Sequence, residues 1–250
     1  MKLVTAICFF IAFISNGYSI AANNLGNHLQ LLVVTTESWE EKSGYMRLFE
    51  KGDQDEQWTL ISTPIPVVVG KSGMAWGIGL HNLIDNQPVN KSEGDLRSPA
   101  GIFSLGHVFG FFPRSETAHL KMDYLEINEF TEAVDDPLSH FYNSIVDSRE
   151  VTPDWSSSER MGGEPLYEIG LVVNHNFPQS IPGKGSAIFF HIWRNCNSGT
   201  AGCTAMSYDN LERILRWLDK WKNPVLIQLP YHVYSQLQSA WDLPPLLHEK

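Results

Sequence analysis

Ala187-Ile188-Phe189-Phe190-His191-Ile192-Trp193-Arg194-Asn195-Cys196-Asn197-Ser198-Gly199-Thr200-Ala201-Gly202-Cys203-Thr204-Ala205-Met206-Ser207 is the stretch on which the reading of this chain depends. Its apolar start is what a buried strand needs, and it delivers a histidine to the strand's end. A polar loop rich in Gly, Asn and Ser follows, and then a cysteine among small residues. Gly202 removes the side chain where a substrate backbone would pass, so neighbouring N–H groups can converge on one point. His191 and Cys203 stand on separate arms of one loop and can meet across it. An imidazole beside a thiol can hold it as an ion pair, which makes Cys203 the candidate nucleophile and His191 its base.

Outward from this loop, Ser207 suits an N-cap, and Leu211, Ile214, Leu215 and Leu218 fall on one helical face. Asn223-Pro224 stops that helix, Val225 to Leu229 reads as a buried strand, and Tyr234, Leu237 and Trp241 suit one more amphipathic helix. Towards the N-terminus, short runs at Leu29–Thr35, Tyr45–Phe49, Gln57–Ser62 and Ile65–Gly70 read as strands in antiparallel meanders. Lys91 to Gly101 is charged and reads as a salt-bridged, solvated turn leading into a strand at Ile102–Leu105. Residues 111–163 have little regular pattern; such an excursion is expected to be a functional loop overhanging the site. Within it, Leu120 to Phe130 fits a strand or short helix. Asp135-Asp136 fits turn chemistry, with a metal or acid/base pair as the dearer reading. Leu166 to Asn174 alternates as a strand, with His175 a hydrogen-bonded residue at its edge. The fold expected is mainly β, with few helices.

The first 21 residues read as a secretory signal: a basic Met1-Lys2, an apolar run from Leu3 to Ile14, and Ser19-Ile20-Ala21 for cleavage. No later stretch approaches transmembrane length, so residues 22–250 are expected to form one exported domain without stable membrane insertion. The formal net charge is −10, and losing Lys2 makes it one unit more negative. That argues against nucleic acid and anionic membrane surfaces, which need a basic footprint. Cleavage would leave only Cys196 and Cys203. In an oxidising compartment they could pair as a small-loop disulfide, or Cys203 could be a reactive thiol. No Cys or His pair sits at ligand spacing, so no metal is expected.

Three stretches together resemble the L,D-transpeptidase catalytic domain of the YkuD type, exported cysteine enzymes acting on peptidoglycan. Val67-Val68-Val69-Gly70-Lys71 with Gly73 resembles the family's early strand and turn. Asp95 to Phe103 resembles its motif ending in Ser/Thr-Pro-x-Gly-x-Phe. Phe190-His191 with Thr200-Ala201-Gly202-Cys203 resembles its histidine and its Ser/Thr-x-Gly-Cys signature. The likeness runs from about Leu31 to Pro230. It departs where the family has His before Gly-Cys (here Ala201), where it has Arg two residues after the cysteine (here Ala205), and in a shorter His-to-Cys spacing.

The resemblance implies an L,D-transpeptidase-like β-sandwich or barrel with a long irregular loop region. It also implies acyl transfer without a cofactor. Cys203 attacks a stem-peptide carbonyl, His191 moves the protons, and the Ile192 carbonyl orients the imidazole. The N–H groups of Gly202 and Ala201 hold the oxyanion, with that of Cys203 beside them. Arg194, Arg97, Thr200 and Trp193 become candidate substrate contacts, Lys91 a further partner for a stem carboxylate, and acylation by β-lactams such as carbapenems is implied. An amine acceptor gives a cross-link; water gives L,D-carboxypeptidase activity. The rival reading is a non-catalytic cell-wall-binding β-domain closed by a Cys196–Cys203 disulfide.

Overall fold

Gln30–Thr36 (β1) is buried at every position. A strand can bury both faces only when something covers each, and here the far side of the sheet is closed into a barrel. The computed structural model describes residues 25–54, 56–81 and 89–246. The signal segment expected over residues 1–21 lies outside the described residues.

After β1 come β2 (Ser43–Glu50), β3 (Thr59–Leu60), β4 (Ile65–Val68), β5 (Met74–Trp76), β6 (Ser98–Gly110) and β7 (Tyr124–Glu126). Then follow β8 (Thr131–Val134), β9 (Ile145–Asp147), β10 (Ser158–Arg160), β11 (Ile169–Val173), β12 (Phe189–Ile192) and β13 (Thr204–Met206). Helix α1 (Tyr208–Trp217), β14 (Val225–Pro230) and α2 (Tyr231–Leu237) complete the order. The main sheet runs β1-β14-β6-β11-β12-β13-β4-β2, and β2 pairs back onto β1, so the ring closes. Closure removes the open edges that a sheet of this size would otherwise present. The barrel form, mainly β with two α-helices among the described residues, is the one the sequence implied.

The antiparallel pairing expected of the N-terminal runs is what forms, with β2 antiparallel to β1, β3 and β4. The parallel pairings within the ring are made with strands from the C-terminal half: β1 with β14, and β12 with β13. α1 is the connection that takes the chain from β13 to β14. It buries Leu211, Ile214 and Leu215 against the strands, although Ser207 caps it without a side-chain bond. Each such side chain contributes roughly 1.5–3 kcal/mol on burial. A short 3-10 turn, Lys220–Lys222, then ends at Asn223 in the left-handed region, a conformation Asn tolerates at helix ends.

The excursion is more regular than its sequence suggests: β8, β9 and β10 form a separate three-stranded sheet. Asp136 behaves as turn chemistry requires, accepting from the Leu138 N–H at 2.9 Å and the Ser156 N–H at 2.7 Å. His175 is fully buried, not an edge residue. The polar segment before β6 is likewise inside: Ser98 is fully buried and Lys91 nearly so. A charged stretch reads as solvated until its ion pair is seen to be internal.

Candidate active site

β12 and β13 lie side by side with Phe190 opposite Thr204 and His191 opposite Ala205. Continuing that register sets Cys203 level with Phe189 and on the face that also carries His191, one two-residue step away. Two hydroxyls fix the Cys203 backbone: Ser98 Oγ donates to its carbonyl at 2.9 Å and Thr200 Oγ1 at 2.6 Å. Thr200 Oγ1 also accepts the Gly202 N–H at 3.1 Å, which tightens the turn. The strand end near Gly70 buttresses the same loop, with the Thr200 N–H on the Val69 carbonyl and the Lys71 N–H on the Thr200 carbonyl, both at 2.9 Å.

The sulfur is buried, and its residue is only 7% exposed. Sγ accepts the Phe189 N–H at 3.3 Å and donates to the Ala187 carbonyl at 3.5 Å. His191 Nδ1 bonds the Ile192 carbonyl at 2.8 Å. A carbonyl only accepts, so Nδ1 carries the proton and Nε2 is left with its lone pair. No hydrogen bond joins His191 to Cys203 in this arrangement. Burial pushes the Cys203 thiol up to about 12, with the Glu159 charge acting the same way; the Phe189 N–H and the Lys91 charge oppose them. Burial also lowers His191 below its ordinary value, against the pull of the Ile192 carbonyl. The sequence suggested an ion pair ready at neutral pH; both shifts instead favour a neutral thiol beside a neutral imidazole.

Cys203 and His191 line one cavity of about 660 Å³. Thr200, Ala201, Gly202, Trp193 and Arg194 line it too, so the structure brings these candidates together. Arg97 is not among the lining residues: its guanidinium donates to the Met74 carbonyl at 2.9 Å and the Trp39 carbonyl at 3.5 Å, which ties loops together. Cys196 is exposed, Cys203 is buried, and both are free thiols, so the disulfide of the rival reading is not formed. Among the described residues, no group of three or more His, Cys, Asp or Glu is arranged to hold a metal ion.

Sequence reasoning missed several contributors. Tyr167 packs edge-on to His191 at 5.4 Å and to Phe189 at 5.8 Å, walling the cavity beside the sulfur. Glu159, the middle residue of β10, and Glu164 add carboxylates to the same wall, where Asp135 of the Asp135-Asp136 turn also lies. Lys91, read as a partner for a stem carboxylate, is bound to Asp95. Ser98 anchors the Cys203 carbonyl, and its hydroxyl directly before the Pro-x-Gly turn is the sequence signal that points to it.

The family model described as the L,D-transpeptidase catalytic domain, YkuD, matches residues 40–227. No curated protein and no solved structure matches the chain.

Proposed function

The chain belongs to the L,D-transpeptidase (YkuD) catalytic domain family, and on that premise we propose that it is an exported cysteine acyltransferase acting on peptidoglycan stem peptides. The observation that supports this most is the shared cavity. A thiol and an imidazole with its acceptor nitrogen unspent open into one space large enough for a peptide.

In the reaction, bound substrate draws Cys203 Sγ away from the Ala187 carbonyl and towards His191. Nε2 takes the thiol proton as sulfur attacks the carbonyl on the L-centre side of an L,D peptide bond. The oxyanion is held by backbone N–H groups of Ala201 and Cys203. Gly202, whose own N–H is held by Thr200, keeps the approach open. His191 returns the proton to the departing D-amino acid, leaving a thioester on Cys203. An amine of a second stem then attacks the thioester, loses a proton to His191, and regenerates the thiol as the cross-link forms. Water in its place gives L,D-carboxypeptidase activity. Arg194 and Trp193, on the cavity wall, contact the stem.

Mass spectrometry of products from purified muropeptides, with reductant present, tests the proposal. The wild type is expected to show a thioester adduct by intact mass and a cross-linked product, and Cys203→Ser neither. Full turnover by Cys203→Ser would overturn the nucleophile assignment. A carbapenem should add its mass to the wild type at Cys203 and leave Cys203→Ser unmodified.

A further inference from the structure

Lys91 is 5% exposed, and its stem runs between two glycines. A Cβ added at Gly185 would lie 3.0 Å from its Cγ and 3.1 Å from its Cε; one added at Gly202 would lie 4.0 Å from its Cε. Its ammonium donates to Asp95 Oδ1 at 2.6 Å and to the Ser92 carbonyl at 2.9 Å. The Asp95 carboxylate is itself pinned by backbone, accepting the Arg97 N–H and the Ser92 N–H, each at 2.9 Å. A buried lysine held this firmly is an expensive feature for a turn that needs only to reverse direction.

The groups that face the Cys203 thiol are Glu159 from β10, Tyr167 beside it, His191 on β12, and Lys91 at the back of the Gly202 turn. Burial raises the Glu159 carboxyl above its ordinary value, and the charge it carries when ionised opposes ionisation of the sulfur. Tyr167 and His191 are neutral at neutral pH. Glu93 also lines the cavity, but its carboxylate is taken by the Tyr142 hydroxyl at 2.6 Å and the Ser186 hydroxyl at 2.7 Å. Asp135, Glu164, Lys42, Lys71 and Arg194 line the same cavity, but Lys91 is the cation whose stem lies against Gly202, next to the cysteine, and whose charge acts on the sulfur. Ala201 and Ala205, the small residues flanking the cysteine turn, carry none.

We infer that Lys91 is a positioning residue for the reaction: its buried ammonium, fixed by Asp95 behind Gly202, supplies the positive field that makes the Cys203 thiolate attainable when His191 takes the proton. The inference rests on the reading of Cys203 as nucleophile. It also gives the Lys91–Asp95 pair opposite halves of one control, since Asp95 tempers the charge that Lys91 presents.

The test follows alkylation of Cys203 by iodoacetamide against pH, with peptide mapping, in a Cys196→Ala background and with no peptidoglycan substrate present. Lys91→Met should displace the rate profile to higher pH by about one unit, slowing alkylation on the order of tenfold at a given pH. Lys91→Arg should keep the wild-type profile. Asp95→Asn should move it the other way and speed alkylation, a reversal that a merely structural role would not produce. An unmoved profile in folded Lys91→Met, or displacement of Lys91→Met and Asp95→Asn in the same direction, overturns the inference. If Lys91→Met does not fold, an Asp95→Asn profile that is unchanged or slower does so alone. The transpeptidase reading fails separately, by absence of thioester and product from muropeptides in the wild type.

Discussion

Ser98 and Cys203, 105 positions apart, meet through one hydrogen bond: the serine hydroxyl donates to the cysteine carbonyl at 2.9 Å. The same hydroxyl accepts the Gly70 N–H at 2.9 Å, so one atom ties the end of β4, the start of β6 and the cysteine turn together. Ser98→Ala leaves the buried Gly70 N–H unpaired and takes one of two hydroxyl donors from the Cys203 carbonyl, which keeps only Thr200 Oγ1. It should cost on the order of 1–3 kcal/mol, lower the melting temperature by several degrees, and slow thioester formation by about tenfold. Calorimetry and timed intact-mass measurements check the two effects separately. An unchanged acylation rate would show that the carbonyl anchor does not set the position of the sulfur.

Two glycines near that bond should respond differently to a methyl group. A Cβ at Gly202 would lie 3.3 Å from the Arg97 carbonyl and 3.3 Å from Ile188 Cδ1, a fit the Ile188 side chain can relax. Gly202→Ala should therefore fold, losing less than about 2 kcal/mol, while the methyl narrows the approach to the sulfur and lowers kcat/KM. A Cβ at Gly70 would lie 2.7 Å from both Arg97 Cα and Ser98 N, with the Leu96 carbonyl closer still. Backbone cannot yield as a side chain does, so Gly70→Ala should fail to fold. Expression, circular dichroism and turnover of the two variants decide this, and a soluble, active Gly70→Ala would refute it.

What the sequence made legible follows from what local pattern encodes. The apolar runs of β1 and β14, the helical face of α1, and the order histidine, polar loop, cysteine are all statements about neighbours in the chain. The parallel pairing of Leu31 with Val225 is not, because strand direction depends on where a remote segment arrives. Lys91 and Asp95 looked solvated because charge is visible in a sequence and internal pairing is not. Arg97 reads from its charge as a candidate partner for a stem carboxylate, but its direction is set by the Met74 and Trp39 carbonyls. Glu159 reaches the site from the weakly patterned stretch 111–163 and Tyr167 from the start of the next run, far from the cysteine in sequence, so only the fold could bring them in.

Two buried histidines make stability depend on pH. His81 Nδ1 accepts the Ile102 N–H at 3.1 Å, and its ring is packed among Trp76, Phe103 and Trp241. His175 Nδ1 accepts the Ile78 N–H at 3.2 Å, and Nε2 donates to the Lys184 carbonyl at 2.9 Å. Burial lowers each from 6.5 to about 4. Between those values the unfolded chain binds more protons than the folded one. The stabilisation is thus complete above pH 6.5, declines as pH falls towards 4, and is gone below it, at up to roughly 3 kcal/mol per histidine. Urea midpoints at pH 7, 5.5 and 4 should fall in that order. His175→Gln should flatten the decline; a slope unaffected by the substitution would remove His175 from the account.

Asn143 carries the last prediction, because it controls a strained residue against the sulfur. Ala187 has φ 52° and Asn143 has φ 63°, both in the left-handed region. That costs an alanine about 1–2 kcal/mol, and an asparagine less. Asn143 Oδ1 accepts the Ala187 N–H at 3.1 Å, while Nδ2 donates to the His175 and Asn176 carbonyls at 3.0 Å each. Ala187 in turn offers its carbonyl to Cys203 Sγ. Asn143→Ala removes these bonds and places a second alanine at positive φ, so it should lose about 2–4 kcal/mol and slow acylation. Ala187→Gly relieves the backbone cost and should change stability by less than about 1 kcal/mol. It should still slow acylation, because the carbonyl that aims the thiol is no longer held by a restricted residue. Melting temperatures and thioester rates for the two variants separate strain from aim. Wild-type acylation in Ala187→Gly would mean that the thiol is aimed without that carbonyl.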